Sequence, residues 1–350
     1  MTAIPLQSAD LTPSRLSDLL GVEVTGVEVL DRAVATNERL RIALRYREAG
    51  AGPPSVFVKL ASADPEHRQM IGAGPMGQRE VDFYRDVAPV LDLRVPRSYF
   101  GATGDDGCFL LLLEDLAATG CRFSDGDWGV SADQAAGALE DLARLHARFE
   151  RAEARSGLAP WLATRSGVGH TEWAPMLLEK VLDEHGNELT PAYVAAGRLY
   201  VAHHARIDRI WDEGPPTFIH GDPHIGNVFL DGPRVGFFDW GLSRSSTHMR
   251  DVSYFLTMAV DPRERRASET DLLRLYADAL RAAGGSRFAL DELWAAHRIQ
   301  AAYTVVATFL AFMPTYVASD VQQLAADLLR RAQLALEDLE VVDALRSALA

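Results

Sequence analysis

The chain has 350 residues, of which 48% are hydrophobic and 24% are charged, and its formal net charge is −14. This length suits two packed lobes, and the hydrophobic share is sufficient for a sizeable core. The negative charge argues against a broad nucleic-acid-binding surface, because such a surface needs clustered Lys and Arg.

Strands are predicted in the first third of the chain. In "RLRIALRYR" (residues 39–47) apolar residues alternate with arginines, which predicts a strand with one buried face. We interpret the arginine stripe as the solvated side of an antiparallel sheet, with phosphate binding as the alternative. The change of phase at Gly26 in the preceding strand predicts a β-bulge. "SVFVKL" (residues 55–60) and "CFLLLLE" (residues 108–114) complete the predicted strand set.

"GAGPMG" (residues 72–77) matches the G-x-G-x-x-G pattern of dinucleotide-binding loops. That pattern should follow directly on a strand of a parallel βαβ unit. Here a polar segment separates it from the strand at residues 55–60, and the surrounding strands alternate as in an antiparallel sheet. We therefore interpret these residues as a mobile connection.

Helices are predicted from "QREVDFYRDV" (residues 78–87) and from most of the chain after residue 116. Ser131 and Gln134 form a capping-box pattern before a helix that ends near Phe149. His146, on the apolar face of that helix, is interpreted as a core histidine. Strands first and helices afterwards predict an α+β protein.

The remaining helical predictions concern the segments at 191–211 and after residue 268. The apolar segment at 301–318 is barely long enough to span a membrane and includes Pro314, so we expect a buried helix there. Only two cysteines occur, without a disulfide framework or a zinc spacing, which predicts a cytoplasmic location.

Lys59 is one of only two lysines in the chain. It ends an apolar strand, where a slim ammonium can neutralise phosphate oxygens and pair with one carboxylate. Glu80, on the following helix, is the expected partner. The alternative is a lysine at a strand end that reaches solvent.

"HGDPHIGNVFLDGPRVGFFDW" (residues 220–240) contains a loop followed by two short strands. This arrangement predicts that Asn227 and Asp239 lie at neighbouring strand ends, with Asp222 five residues before Asn227. The spacing is that of a kinase catalytic loop and its metal-binding motif. Asn227 and Asp239 offer oxygen ligands for a Mg²⁺ ion on nucleotide phosphates. Asp222 is expected to orient and deprotonate a substrate hydroxyl.

With these residues the sequence resembles the aminoglycoside phosphotransferase and choline kinase superfamily. "HGDPHIGN" is similar to its H-G-D-x-H-x-x-N signature, "FFDW" to its metal-binding strand, and "LLLEDLA" to its interlobe hinge. The segment from Glu80 to Gly101 resembles the ecdysteroid kinase-like branch. The resemblance covers roughly residues 22–256.

The resemblance implies a bilobal protein-kinase-like fold. Residues 1–115 would be a nucleotide-binding lobe with a small antiparallel sheet and one main helix, and residues 116–350 would be a mainly helical lobe with the catalytic loop. It also implies an ATP-dependent kinase that uses Mg²⁺. The backbone of Glu114 and Leu116 would bind the adenine edge, and Lys59 would contact the α- and β-phosphates.

Asp222 would then be the catalytic residue, with His220 shaping its loop and Asp251 stabilising it. His224 would either contact phosphate or serve a structural role. The family's nucleotide loop should occupy residues 31–37, which contain no glycine, although close approach to phosphates is easiest with glycine. The choice between ATP and GTP therefore stays open, and Thr36 and Asn37 are expected to supply polar contacts.

The segment after Asp239 is too short to seat a peptide as a protein kinase does, which favours a small hydroxylated acceptor. An antibiotic, an amino sugar or another metabolite would fit, with antibiotic resistance as one role; no nucleic-acid or membrane partner is expected. Two alternatives remain open at this point. One is a metal-dependent hydrolase that uses His220, Asp222 and His224; the other is an inactive nucleotide-binding module.

Overall fold

The computed structural model describes residues 7–34, 37–62, 74–162, 173–313 and 322–350. The chain divides into two compact units, Met1–Arg122 with Phe238–Ser243 and Phe123–Phe237 with Arg244–Ala350. In the described part of the chain, the first unit is built on a five-stranded sheet and the second is mainly helical. This architecture confirms the predicted α+β class.

The sheet of the first unit has the strand order β1-β2-β3-β5-β4, and its neighbouring strands are antiparallel. The register shifts at Gly26, where the β-bulge was predicted. The predicted strand set was incomplete, since β4 is half-buried along most of its length and shows no apolar alternation. The five strands are β1 Val24–Val34, β2 Asn37–Tyr46, β3 Ser55–Ala61, β4 Ser98–Thr103 and β5 Phe109–Glu114.

Alternation along β2 and β3 gives the sheet two chemically different faces. One face buries apolar side chains together with residues of helix α1, Pro13–Leu20. Lys59 lies in β3 between Val58 and Leu60, which belong to that core, so its side chain projects from the opposite face. Helix α2, Gly74–Asp82, continues as a π-helical turn over Phe83–Val87.

The interpretation of residues 72–77 as a mobile connection is wrong for the last four of these residues. Gly74 to Gly77 form the first turn of α2, while residues 72–73 lie outside the described part of the chain. A Cβ atom on Gly77 would lie 2.1 Å from the ring of Phe109. The glycine therefore lets the helix approach β5 closely.

The second unit contains the predicted helices and two short antiparallel ribbons. One ribbon pairs β7, Val228–Asp231, with β8, Arg234–Phe237, as predicted, and the other pairs β6, Pro216–Ile219, with β9, Arg244–Thr247. The described helices are α3 Ala132–Phe149, α4 Ala152–Leu158, α5 Trp173–His185, α6 Pro191–Trp211, α7 His248–Met258, α8 Pro262–Ala282, α9 Leu290–Gln300, α10 Tyr303–Thr308, α11 Gln322–Asp338 and α12 Val341–Leu349.

The predicted capping box at the start of α3 is present. The backbone N–H of Gln134 donates to Ser131 Oγ at 3.3 Å, and the backbone N–H of Ser131 donates to Gln134 Oε1 at 3.0 Å. The apolar segment at 301–318 forms α10 and a 3₁₀ turn over Phe309–Phe312, and residues 314–321 lie outside the description. In the parts of the chain that are described, no helix combines the length and apolarity needed to cross a membrane.

Candidate active site

Lys59 lies at the centre of a buried charge cluster in the first unit. Its Nζ donates to Glu80 Oε2 at 2.6 Å and to Asp239 Oδ1 at 2.9 Å. The expected Lys59–Glu80 pair is therefore present, and the contact with Asp239 adds a second carboxylate that sequence reasoning had assigned only to a metal. Lys59 is 5% exposed and Glu80 is 2% exposed, so both charges depend on each other for compensation.

The environment of the cluster keeps Lys59 protonated. Burial alone would lower the pKa of Lys59, but the carboxylates of Asp239 and Glu80 outweigh burial and raise its pKa. Burial raises the pKa of Glu80 to about 7, against the opposing effect of Lys59. The result is a fixed ammonium that two carboxylates orient, which suits binding of phosphate oxygens.

Asp239 reaches this cluster through an unusual backbone conformation. Its φ of 60° lies in the left-handed region, which non-glycine residues adopt at a cost of about 1–3 kcal/mol. The next residue, Trp240, stacks on the ring of Phe83 with a centroid distance of 3.9 Å and an interplanar angle of 5°. Phe83 follows α2, so this stacking fixes the backbone around Asp239 against the helix that contains Glu80.

The predicted adenine-binding segment follows β5 in the same unit. The backbone N–H of Leu116 donates to the carbonyl of Glu114 at 3.1 Å, so these two groups lie side by side. The Glu114 side chain forms a two-fold ion pair with Arg94, at 2.9 and 2.8 Å. Arg94 thereby fixes the direction of the segment, while the Glu114 carbonyl and the Leu116 N–H are hydrogen-bonded to each other.

The structure places residues 31–34 and Asn37 of the predicted nucleotide loop in strands. Strand β1 continues to Val34 and β2 begins at Asn37, so residues 31–34 belong to a hairpin rather than to a loop. Asn37 is buried and pairs with Ala61 of β3. Thr36 lies outside the described residues.

The predicted catalytic loop, residues 220–227, belongs to the second unit and holds Asp222 and Asn227 together. Asn227 Nδ2 donates to Asp222 Oδ2 at 2.9 Å and to the Asp222 carbonyl at 3.0 Å. Both amide hydrogens are therefore used inside the loop, and the amide oxygen points away from these bonds. His224 caps the short turn at Ile225–Asn227 by accepting from the Gly226 N–H at 3.0 Å, and its Nε2 lies 3.4 Å from Asp222 Oδ2.

Asp251 holds the backbone of the catalytic loop from helix α7. Its carboxylate accepts hydrogen bonds from the backbone N–H groups of His220 at 2.6 Å and of Gly221 at 2.8 Å. Burial would raise the pKa of Asp251, but the effects of His146, above all, and of the Gly221 N–H outweigh burial and lower its pKa. The fully buried Asp251 is therefore a charged acceptor of hydrogen bonds from the loop.

His146 and Tyr254 are residues near the loop whose contacts sequence reasoning missed. His146 is a buried core histidine, as predicted, and it lies 3.4 Å from Asp251 through Nε2 while its Nδ1 contacts the Tyr276 hydroxyl at 2.8 Å. Burial and the nearby Asp222 raise the pKa of Tyr254. The helical spacing of the apolar residues around His146 predicted that it is buried, but it did not predict its contact with Asp251.

The two residues predicted as metal ligands, Asn227 of the second unit and Asp239 of the first, each offer oxygen atoms. The amide oxygen of Asn227 is oriented by its own Nδ2 bonds, and the side chain of Asp239 is 36% exposed. Such oxygens fit Mg²⁺ better than zinc. His220 and His224 each accept a hydrogen bond from a backbone N–H of their own loop. Within the described ranges, no three His, Cys, Asp or Glu residues are grouped to hold a metal. These contacts do not support the hydrolase alternative.

A sheet unit with a Lys–Glu pair and a helical unit with an Asp–Asn loop define the class of protein-kinase-like folds. The sequence pattern of the phosphotransferase enzyme family (APH) matches residues 45–293. The chain belongs to this family. Its match to the aminoglycoside phosphotransferase and choline kinase superfamily confirms the resemblance found in the sequence, without support for the ecdysteroid kinase-like branch.

Three solved structures illustrate the fold similarity. The amicoumacin kinase hAmiN in complex with AMP-PNP and Ca²⁺ is 16% identical with a TM-score of 0.54, covering 88% of this chain and 87% of the other. The choline kinase LicA from Streptococcus pneumoniae is 14% identical with a TM-score of 0.51, covering 95% and 98%. The GDP and kanamycin complex of APH(2″)-IIIa is 12% identical with a TM-score of 0.51, covering 91% and 97%. A comparison with curated protein sequences gives no significant match.

Proposed function

We propose that the chain transfers the γ-phosphoryl group of ATP to a hydroxyl group of a small molecule, with GTP as the alternative donor. The observation that supports this most directly is the buried ammonium of Lys59, shared between Glu80 and Asp239. A cation fixed in this way suits the oxygens of a nucleotide triphosphate. The family match to phosphotransferases points in the same direction.

The proposed reaction assigns a role to each group. Asp222, oriented by Asn227, accepts the proton of the acceptor hydroxyl. The hydroxyl oxygen forms a bond to the γ-phosphorus, the bond from that phosphorus to the β–γ bridging oxygen breaks, and ADP leaves with the electron pair. Asn227 and Asp239 are the residues that would hold Mg²⁺, which neutralises phosphate charge when bound. Asp251 keeps the loop backbone in place.

The remaining site residues act on the nucleotide or on the loop. The backbone of Glu114 and Leu116 would bind the purine edge, and Asn37 would be a polar group beside the hairpin. His224, which caps the loop turn, is assigned a structural role. Because the structural neighbours include an amicoumacin kinase, a choline kinase and an aminoglycoside phosphotransferase, the proposed acceptor class is hydroxylated metabolites and antibiotics rather than one compound.

The experiment combines nucleotide binding with a transfer assay. Calorimetry measures the binding of Mg²⁺–ATP and Mg²⁺–GTP, and γ-labelled nucleotide is then incubated with choline, aminoglycosides, amicoumacin and amino sugars. We expect Mg²⁺-dependent binding and label transfer to at least one alcohol, with transfer lost in Asp222→Asn. Failure of the wild-type protein to bind either nucleotide would contradict the proposal. Binding without transfer to any alcohol would support the inactive module instead.

A further inference from the structure

The arginines at positions 39, 41, 45 and 47 differ in whether they form ion pairs. Arg41 forms a two-fold ion pair with Asp115, at 2.9 and 3.1 Å. Arg45 lies 3.8 Å from Glu28, and Arg47, directly after the strand, lies 2.5 Å from Glu23.

Arg39 differs from these three arginines. In the described part of the chain, the structure shows no hydrogen bond or ion pair for its guanidinium, although its residue is half-buried. The interpretation of the stripe as a solvated sheet face therefore explains the three paired arginines and leaves Arg39 unexplained.

Arg39 lies directly beside Lys59. The two residues are partners in the antiparallel register of β2 and β3, so their side chains project from the same face of the sheet with Cβ atoms about 5 Å apart. This register places Arg39 on the sheet face that carries the charge cluster, and its positive charge contributes to lowering the pKa of Glu80. Like charges directly opposite each other on neighbouring strands destabilise a sheet. Lys59 is compensated by two carboxylates, whereas no carboxylate of the described residues lies within ion-pair distance of Arg39.

The nearby hairpin explains why a second cation would be useful at this place. Residues 31–37 contain no glycine, so backbone N–H groups there lack the freedom that close approach to phosphates requires. A guanidinium offers N–H donors in a planar fork that matches two phosphate oxygens. Arg39 lies two residues after the start of β2, near the end of the strand that follows β1.

We propose that Arg39 is a second phosphate-binding cation, which contacts the polyphosphate chain of the nucleotide beside Lys59 and replaces the backbone donors of a glycine-containing loop. This inference rests on the proposed function, because it assumes a nucleotide at Lys59. In this proposal, Arg39 is a further residue that determines nucleotide affinity. It also predicts that the contribution of Arg39 depends on the number of phosphates and not on the nucleobase.

The test compares Arg39→Gln with the matched control Arg45→Gln, since both arginines lie on the same face of β2 and the Arg45 side chain is 69% exposed. Calorimetry gives Kd for the triphosphate that the wild-type protein prefers, for its diphosphate and for its nucleoside. Charge-assisted hydrogen bonds predict a loss of roughly 10- to 100-fold for the triphosphate in Arg39→Gln. We expect a similar loss for the diphosphate, no change for the nucleoside, and no change in Arg45→Gln.

Two further measurements separate phosphate binding from a structural role. Arg39→Lys should restore part of the triphosphate affinity, because it keeps the charge and loses the fork. The Tm of Arg39→Gln without nucleotide should equal or exceed that of the wild type, because a like-charge neighbour of Lys59 is removed. If the wild type binds Mg²⁺-triphosphate and both glutamine variants bind it equally well, the role of Arg39 is refuted and the proposed function survives. If the wild type binds no nucleotide, both are refuted.

Discussion

Replacement of Asp251 by asparagine tests how much the catalytic loop depends on a single buried carboxylate. Asp251 accepts from the backbone N–H groups of His220 and Gly221 at 2.6 and 2.8 Å. An asparagine keeps one acceptor oxygen and places an NH₂ group against the second N–H donor. One of the two backbone N–H groups then loses its hydrogen bond and stays buried without an acceptor. The hydrogen bond of the other N–H group goes to a neutral oxygen instead of a charged one.

The expected cost is about 2–3 kcal/mol, since hydrogen bonds to buried charged groups contribute roughly 1.5–3 kcal/mol each. For a unit of this size the loss corresponds to a fall in Tm of roughly 4–12 °C. Turnover should fall about 100-fold, because Asp222 follows the two held residues and a displacement of about 1 Å costs that much. Nucleotide affinity should change little, since Lys59, Glu80 and Asp239 all belong to the first unit and Asp251 belongs to the second.

The difference in the free energy of unfolding between wild type and Asp251→Asn should depend on pH in a definite direction. The pKa of Asp251 is below its ordinary value of 3.8, although burial opposes this. A lowered folded-state pKa gives a stability contribution that is present above the unfolded pKa and is lost as pH falls through the folded pKa. The gap in the free energy of unfolding between wild type and Asp251→Asn should therefore be full at neutral pH and shrink below about pH 4.

The assay is denaturant unfolding followed by fluorescence from neutral to acid pH, together with turnover on the identified acceptor. Asp271→Asn is the matched control, because Asp271 is 80% exposed and forms a surface ion pair with Arg274 on α8; such pairs contribute about 0–1 kcal/mol. Equal unfolding free energies and equal turnover in Asp251→Asn and Asp271→Asn would refute the role of Asp251. A gap that persists unchanged at acid pH would refute the charged state of its carboxylate.

Three further substitutions test the site itself. Asp222→Asn should lower turnover by roughly 10²–10⁴-fold with nucleotide Kd nearly unchanged, and loss of nucleotide affinity with turnover retained at saturation would contradict its role. Asp239→Ala should abolish Mg²⁺-dependent ATP binding in calorimetry while circular dichroism shows an intact fold, so unchanged affinity would count against the metal site. Lys59→Arg should lose activity, because a planar guanidinium replaces an ammonium held by Glu80 and Asp239; full activity would show that Lys59 does not contact phosphates.

Much of the fold could be predicted because its signals are local. The alternation along β2, the capping box at Ser131 and the hairpin of β7 and β8 each depend on residues fewer than about ten positions apart. β4 lacked such a signal because it is half-buried along most of its length. The ribbon of β6 and β9 was missed because no short turn joins its strands: residues 220–243 separate Pro216–Ile219 from Arg244–Thr247.

In the candidate site, too, contacts between residues close in sequence could be predicted, and contacts between distant residues could not. Lys59 and Glu80 are 21 residues apart on successive elements, and their pairing could be predicted. Lys59 and Asp239 are 180 residues apart, and their contact could not. A buried charge requires compensation, so a sequence predicts that a partner exists. The identity of a distant partner depends on how strands and helices pack, and that is decided by the whole core.

Arg39 extends this reasoning to a charge that has no ion-pair partner among the residues that the structure describes. In the sequence it is one of four equivalent arginines in an alternating segment, and the pattern predicts a single role for all of them. The ion pairs of Arg41 and Arg45 remove that equivalence, since two neighbours on the same strand have carboxylates within 4 Å. Because a half-buried guanidinium beside an ammonium costs stability, its presence needs a compensating contact. A bound anion is the ligand that would provide this contact, and the Lys59 face of the sheet is where it would bind.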